Sequence, residues 1–153
     1  MDYINTTLLF CQEKYNKKGF QHAIRVANYA YEMAKYNTNF SGANSEIYKE
    51  TLYCIALLHD IVEDYNTTWE EIDEYFANSF MSTRYEQTIR PALALLTHND
   101  GSCYEEYISR IIESNNMYAL IVKRADMKDH LSQLDTLSDN KIQKYIPVLG
   151  SLM

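Results

Sequence analysis

The stretch ALLHDIVED, residues 56–64, places four ionisable side chains directly after an apolar run. The apolar part continues the run YCIALL and predicts the end of a buried helix. Residues four apart share a helix face, which pairs His59 with Glu63 and Asp60 with Asp64. An adjacent His and Asp lie about a quarter turn apart, so both can hold one ion. We therefore expect a metal site that begins at His59 and Asp60.

Two residues far away in the sequence can complete this metal site. His22 lies beside apolar residues in a predicted helix, and Asp126 follows the largely apolar stretch ALIVKRAD. A buried carboxylate without a partner is very costly, so Asp126 must be paired or bind a metal. Two imidazoles and two carboxylates form a mixed N/O ligand set that suits one divalent ion such as Mn²⁺ or Fe²⁺. Glu63 and Asp64 then remain free to move protons.

The composition favours an all-α fold. The chain has 153 residues, of which only 4 are glycine and 2 are proline. Sandwiches, small barrels and Rossmann folds use these residues at many turns, so their scarcity argues against such folds. Apolar spacing predicts a compact bundle of about eight helices, without a significant sheet, in a single domain over residues 1–153. The predicted helices cover about 3–16, 20–36, 46–63, 68–77, 84–96, 103–113, 117–131 and 140–149.

Local signals mark the ends of these helices. Gly19 is expected to separate the first two helices. The pairs Thr67–Glu70 and Ser102–Glu105 have the capping-box spacing and predict two helix starts. Pro91 is expected to disturb the fifth helix, and Pro147 to bend or end the last one.

Charge and cysteine content exclude several classes of partner and location. The net charge of −7 disfavours nucleic acid and anionic membrane surfaces, because the field repels phosphates. The three cysteines form no CxxC pair, so reduced thiols in a cytoplasmic protein are expected. No signal peptide is visible, and the longest apolar run is far too short to cross a bilayer.

The order His22, His59-Asp60, Asp126 resembles the metal pattern of the HD-domain metal-dependent phosphohydrolases. Within that family, HDIVEDYNTTWEEI at 59–72 and HAIRVANYA at 22–30 are similar to the (p)ppGpp hydrolase branch, which includes the Rel and SpoT hydrolase domains and the stand-alone Mesh-type enzymes. VKRADMKDHL and KYIPVL match later parts of that branch. The similarity covers about residues 20–150.

This resemblance implies a function and a set of site residues. The implied reaction is hydrolysis of the 3′-pyrophosphate of (p)ppGpp, giving GDP or GTP and pyrophosphate. It implies one divalent metal, most readily Mn²⁺, and a small-molecule nucleotide as the partner. The implied roles are metal ligation by His22, His59, Asp60 and Asp126, catalysis by Glu63 and Asp64, and substrate binding by Lys17, Lys18, His130 and Tyr145.

Two departures from the branch keep other functions open. The loop before His22 is shortened, which leaves Lys17 and Lys18 in place of an Arg-Lys pair. His130 stands where the branch has a base-contacting Asn, so guanine selectivity is not implied. The alternatives are hydrolysis of another nucleotide or phosphometabolite (NADPH or a deoxynucleotide), a non-catalytic metal-bound nucleotide sensor, or a metal-free interaction scaffold.

Overall fold

The fold is all-α, as predicted. A computed structural model describes residues 2–133 and 138–152 and shows no strand within them. The helices are α1 (Tyr3–Lys14), α2 (Lys17–Ala34), α3 (Ser45–Leu58), α4 (Ile61–Asp64), α5 (Trp69–Ala77), α6 (Ser82–Arg84), α7 (Arg90–Leu96), α8 (Tyr104–Glu113), α9 (Met117–Ser132) and α10 (Asp139–Leu152). A 3₁₀ turn covers Thr38–Phe40, and a π turn, Tyr85–Ile89, joins α6 to α7. Apart from the single turn of α4, the described residues therefore form eight helical segments.

Helix α3 lies at the centre of the bundle. It packs against α1, α2, α7 and α9, and all five residues from Cys54 to Leu58 are buried. Each large apolar side chain removed from water contributes about 1.5–3 kcal/mol. The apolar run that suggested a buried helix therefore does occupy the core. That the whole chain forms one domain stays a prediction.

The predicted helix over 46–63 is wrong in one respect, because it is broken at its ionisable end. Helix α3 ends at Leu58, and α4 starts only at Ile61. The His59 imidazole donates its Nδ1 hydrogen to the Ala56 carbonyl at 2.6 Å, in competition with a further helical turn. The chain therefore turns between His59 and Asp60, and these residues do not continue one regular helix to Asp64.

Helix α2 begins at Lys17 and not at Phe20, so Gly19 does not separate the first two helices. The Asn16 side chain caps this helix by accepting a hydrogen bond from the Gly19 amide at 2.8 Å. Glycine is needed inside this turn, because a Cβ atom there would collide with the ring of Tyr65. The residue that was interpreted as a helix breaker is thus a point of close packing.

Neither predicted capping box forms at the predicted residues. The box that starts α5 is formed by Thr68 and Glu71, one residue later than expected. Helix α8 is capped by Cys103 without a side-chain bond, and the Ser102 hydroxyl donates to Asp100 instead.

The two prolines are accommodated within helices. Pro91 lies in the first turn of α7, directly after the π turn, where its missing amide hydrogen costs little. Helix α10 continues past Pro147 to Leu152, so the prediction that it ends near residue 149 is also wrong.

The cysteines carry free thiols, as predicted. Cys11 and Cys54 are buried and Cys103 is exposed. Burial raises the pKa of Cys11, and it raises that of Cys54 to about 12. Among the described residues, no helix is both long enough and apolar enough to cross a membrane.

Candidate metal centre

Four side chains from three parts of the fold converge on one point. They are His22 from α2, His59 and Asp60 from the turn after α3, and Asp126 from α9. One ligand atom from each lies within 4.8 Å of all the others. His22 and Asp126 meet although they are 104 residues apart in the chain. The structure thus brings together the whole predicted ligand set.

The distances between these atoms match ligands that share one ion. Nε2 of His22 lies 3.0 Å from Asp126 Oδ1 and 3.4 Å from Asp60 Oδ2. Nε2 of His59 lies 3.3 Å and 3.2 Å from the same two oxygens. Ligands bound at about 2.0–2.2 Å around a single ion are separated by about this much.

The protonation of the two imidazoles also fits a metal. Nδ1 of His22 faces the Asp129 carboxylate at 2.6 Å, and Nδ1 of His59 faces the Ala56 carbonyl at 2.6 Å. Both partners only accept hydrogen bonds, so each ring donates from Nδ1, and in the neutral ring Nε2 carries a lone pair. These lone pairs point at carboxylate oxygens, which is favourable only with a proton or a cation between them.

The field at this cluster shows the same preference for positive charge. Burial opposes protonation of His22, but hydrogen bonds with Asp126 and Asp60 outweigh it and raise its pKa to about 9. The pKa of His59 is also raised well above its ordinary value despite burial, chiefly by the charge of Asp60. A divalent ion fits this site, because it supplies the positive charge that the carboxylates demand.

A second layer of residues holds the ligands in place, and the sequence analysis missed it. The Asp129 carboxylate accepts hydrogen bonds from His22 and from Arg25, whose Nε lies at 2.7 Å. The buried Lys123 ammonium group donates to Asp126 Oδ2 at 2.8 Å, which leaves Oδ1 to face the cluster. The signal that could have revealed them is spacing, since each lies three residues from a ligand on the same helix.

The two predicted proton-transfer residues have different surroundings. Asp64 lines the cavity beside the cluster. Loss of surrounding water raises the pKa of Asp64 to about 6, and the charges of Asp60 and Glu63 add to this rise. Glu63 lies near them, but its Oε1 accepts a 2.6 Å hydrogen bond from the His98 amide, so it also holds the loop after α7.

The cluster opens into a cavity of about 190 Å³. Its lining combines two of the candidate ligands, His22 and Asp60, with two further carboxylates and with cationic side chains from α2 and α10. The lining residues are Lys18, Gly19, His22, Arg25, Asp60, Asp64, Tyr65, Asp129, His130, Gln133 and Lys141. A larger surface cleft of about 410 Å³ beside Phe40 and Pro91 has no carboxylate, imidazole, lysine or arginine in its lining.

The predicted substrate-binding residues are distributed around this cavity. Both lysines of the first turn of α2 are exposed, but Lys18 lines the cavity and Lys17 does not. His130 also lines it, and its Nε2 lies 3.1 Å from Asp126 Oδ1. Tyr145 is buried on α10 and stacks on the His130 ring, with 5.1 Å between ring centroids.

Comparison with known families agrees with this geometry. Residues 19–130 match the sequence model of the HD domain, a range that contains all four candidate ligands. The chain belongs to the HD domain family. HD domains bind divalent metals, and membership implies metal-dependent phosphohydrolase activity of a general kind. No curated protein and no solved structure matches the chain.

An HD domain with this arrangement has the groups that phosphoester hydrolysis requires. A neutral ligand pair and two carboxylates can hold the ion, and Asp64 can accept a proton beside it. The cations that line the cavity can balance the charge of a phosphorylated ligand.

Proposed function

We propose that this HD domain hydrolyses the 3′-pyrophosphate of (p)ppGpp, with Mn²⁺ as the metal. The observation that carries the proposal is that Lys18, Arg25 and Lys141 line the same cavity as the candidate ligands His22 and Asp60. These cations balance the three carboxylates of the same lining, and a bound metal would add further positive charge there, on a chain whose net charge is −7. Such a cavity suits a ligand with several phosphate groups, since local cations offset the repulsion by the rest of the protein.

In this proposal the chain's own residues bind the substrate, orient the attacking water and move the proton. His22, His59, Asp60 and Asp126 would hold the metal, which when bound would lower the pKa of a water molecule and polarise a phosphoryl oxygen. Asp64 takes the proton from the water that attacks phosphorus. The bond from phosphorus to the 3′ oxygen breaks, the proton held by Asp64 passes to that oxygen to give a 3′ hydroxyl group, and pyrophosphate is released.

Glu63 has a supporting role in this scheme. One of its oxygens is bound to the His98 amide, so it orients the adjacent Asp64 and the attacking water from a fixed position. Asp64 has no such bond to the backbone in the described structure and lines the cavity directly. The main proton acceptor is therefore proposed to be Asp64.

The nucleoside end of the ligand is proposed to lie against Tyr145 and His130. An aromatic ring gives a base a stacking surface without selecting which base is bound. His130 is stacked on Tyr145 and has its Nε2 directed at Asp126. This arrangement favours a second candidate, hydrolysis of another phosphorylated nucleotide such as NADPH or a deoxynucleotide.

We also propose a small nucleotide as the partner, in a single-domain cytoplasmic protein, and not a nucleic acid or a membrane surface. The acidic net charge supports this choice of partner, and the free thiols fit a reducing compartment. The metal is needed for catalysis, so the protein must be purified without chelators.

The test is a panel of nucleotides incubated with the Mn²⁺-loaded protein and scored for phosphate and pyrophosphate release. Pyrophosphate released from (p)ppGpp, with the highest kcat/KM in the panel, is the expected result. Turnover of another nucleotide alone would establish the second candidate. Tight nucleotide binding without any turnover would instead favour a sensor, and absence of stoichiometric metal would favour a scaffold.

A further inference from the structure

The side-chain hydroxyl of Tyr104, the first residue of α8, has no hydrogen-bond partner. It is the one buried side-chain oxygen or nitrogen among the described residues that lacks one. Burial raises the pKa of Tyr104 by more than the nearby Lys123 ammonium group lowers it, so the hydroxyl keeps its proton and is a donor. An unpaired buried polar group costs about 1–3 kcal/mol, and such groups are rare in native structures. This hydroxyl is therefore a candidate for pairing with a ligand.

The Tyr104 ring is close to one residue that holds the metal centre and to one residue of the proposed nucleoside site. The Lys123 ammonium group, which binds Asp126, is 5.3 Å from the centroid of the Tyr104 ring. The Tyr145 ring centroid is 5.7 Å from the Tyr104 ring centroid. The exposed Lys144 also places its ammonium group 4.5 Å from the Tyr104 centroid. The hydroxyl thus belongs to a residue that is flanked by two cations.

Tyr107 provides a contrast with Tyr104, because its hydroxyl has a hydrogen-bond partner within the protein. It lies on α8 three residues later, and its ring packs on the same Lys123 ammonium group, at 5.1 Å. Its hydroxyl donates to the Leu96 carbonyl at 2.6 Å. Two tyrosines on one side of α8 therefore share a neighbour, but only Tyr107 uses its hydroxyl within the protein.

We propose that Tyr104 binds substrate, and that its hydroxyl donates a hydrogen bond to a phosphoryl oxygen of the nucleotide. This inference rests on the proposed function, because it assigns a phosphate contact within the same site. Lys144 balances the charge of that phosphate. Because its side chain is exposed and lies over the Tyr104 ring, Lys144 must rotate to let the phosphate reach the hydroxyl.

The test compares Tyr104→Phe with Tyr107→Phe as the matched control. The first measurement is the thermal unfolding midpoint of each protein without ligand. Tyr104→Phe should leave the midpoint unchanged or raise it, since no bond is lost. Tyr107→Phe should lower it by about 2–4 °C, since it leaves the Leu96 carbonyl unpaired.

The second measurement is the affinity for inorganic pyrophosphate, by calorimetry at a fixed free Mn²⁺ concentration. Tyr104→Phe should weaken binding by about 10-fold or more, the size expected for a hydrogen bond to a charged group. Tyr107→Phe should bind pyrophosphate as the unmodified protein does, and both variants should bind Mn²⁺ normally.

Two results would overturn the proposal for Tyr104. Unchanged pyrophosphate affinity in Tyr104→Phe would remove the phosphate contact while leaving the proposed hydrolysis intact. A lower unfolding midpoint in Tyr104→Phe would show that the hydroxyl already has an internal partner. If the unmodified protein binds no pyrophosphate, both this inference and the proposed function fail together.

Discussion

At the scale of single residues, the metal centre depends on which atom of each ligand is already occupied. Asp129 occupies Nδ1 of His22, and Lys123 occupies one oxygen of Asp126. The remaining atoms, Nε2 and Oδ1, are the ones that face each other. Ligands held in this way lose little freedom when an ion binds, and partners of this kind typically contribute 10–100-fold to metal affinity.

Replacement of Asp64 by Asn separates proton transfer from metal binding. Asn is nearly isosteric and should keep the fold and the metal, but it cannot accept a proton from water. We expect kcat to fall by about 10²–10⁴-fold with full metal content. Asp60→Asn is the matched change four residues earlier, and it should lower metal content together with kcat.

The measurements are bound metal by elemental analysis and kcat at saturating Mn²⁺, for both variants. Loss of metal from Asp64→Asn would make Asp64 a ligand and contradict this division of roles. Full activity of Asp64→Asn would assign the proton to Glu63 or to water alone.

At the scale of secondary-structure elements, the first turn of α2 sets which lysine faces the ligand. Lys18 and His22 are four residues apart and therefore share a face of the helix, and both line the cavity. Lys17 is rotated about a quarter turn from Lys18 and is exposed away from the cavity. Two adjacent lysines thus differ in what they can bind.

Lys18→Ala is expected to raise KM for a polyphosphorylated nucleotide by about 10-fold, because one charge-assisted phosphate contact is lost. Lys17→Ala is the control and should leave KM nearly unchanged. Metal content should be normal in both variants. Steady-state kinetics on the best substrate from the nucleotide panel checks this, and equal KM values for the two variants would contradict the assignment of Lys18.

The sequence was most informative where chemistry depends on residue type, and least where it depends on packing. His59, Asp60 and Asp126 could be predicted as a cluster because ionisable groups in apolar helices need partners. Asp129 was missed, because its spacing from Asp126 places it on the same helix face but does not show that it reaches His22 in another helix. Gly19 was misinterpreted because its collision partner, Tyr65, comes from a different part of the chain.

At the scale of the whole molecule, the metal centre joins the main packing interfaces. Helices α2, α3 and α9 pack on one another. Helices α2 and α9 each supply one candidate ligand, and the turn after α3 supplies the other two. A metal bound there interacts with the native arrangement and not with the unfolded chain. Metal binding and folding stability must therefore be coupled.

Mn²⁺ at about 100 times its dissociation constant should stabilise the protein by about 2.7 kcal/mol. For a chain of this length that corresponds to a rise of about 5–10 °C in the unfolding midpoint. Calorimetry with Mn²⁺ and with a chelator measures the difference, and Asp60→Asn should abolish most of it. An unchanged midpoint in the unmodified protein would contradict a metal centre built from these helices.

The 104-residue separation between His22 and Asp126 also has a consequence for the order of events in folding. A loop of that length closes only after much of the chain has collapsed, since the entropic cost precedes any contact that rewards it. We therefore expect the ligand set to be completed late in folding, after the main barrier has been crossed. A metal added to the refolding chain should therefore hardly change the folding rate, and its stabilisation should be expressed as slower unfolding.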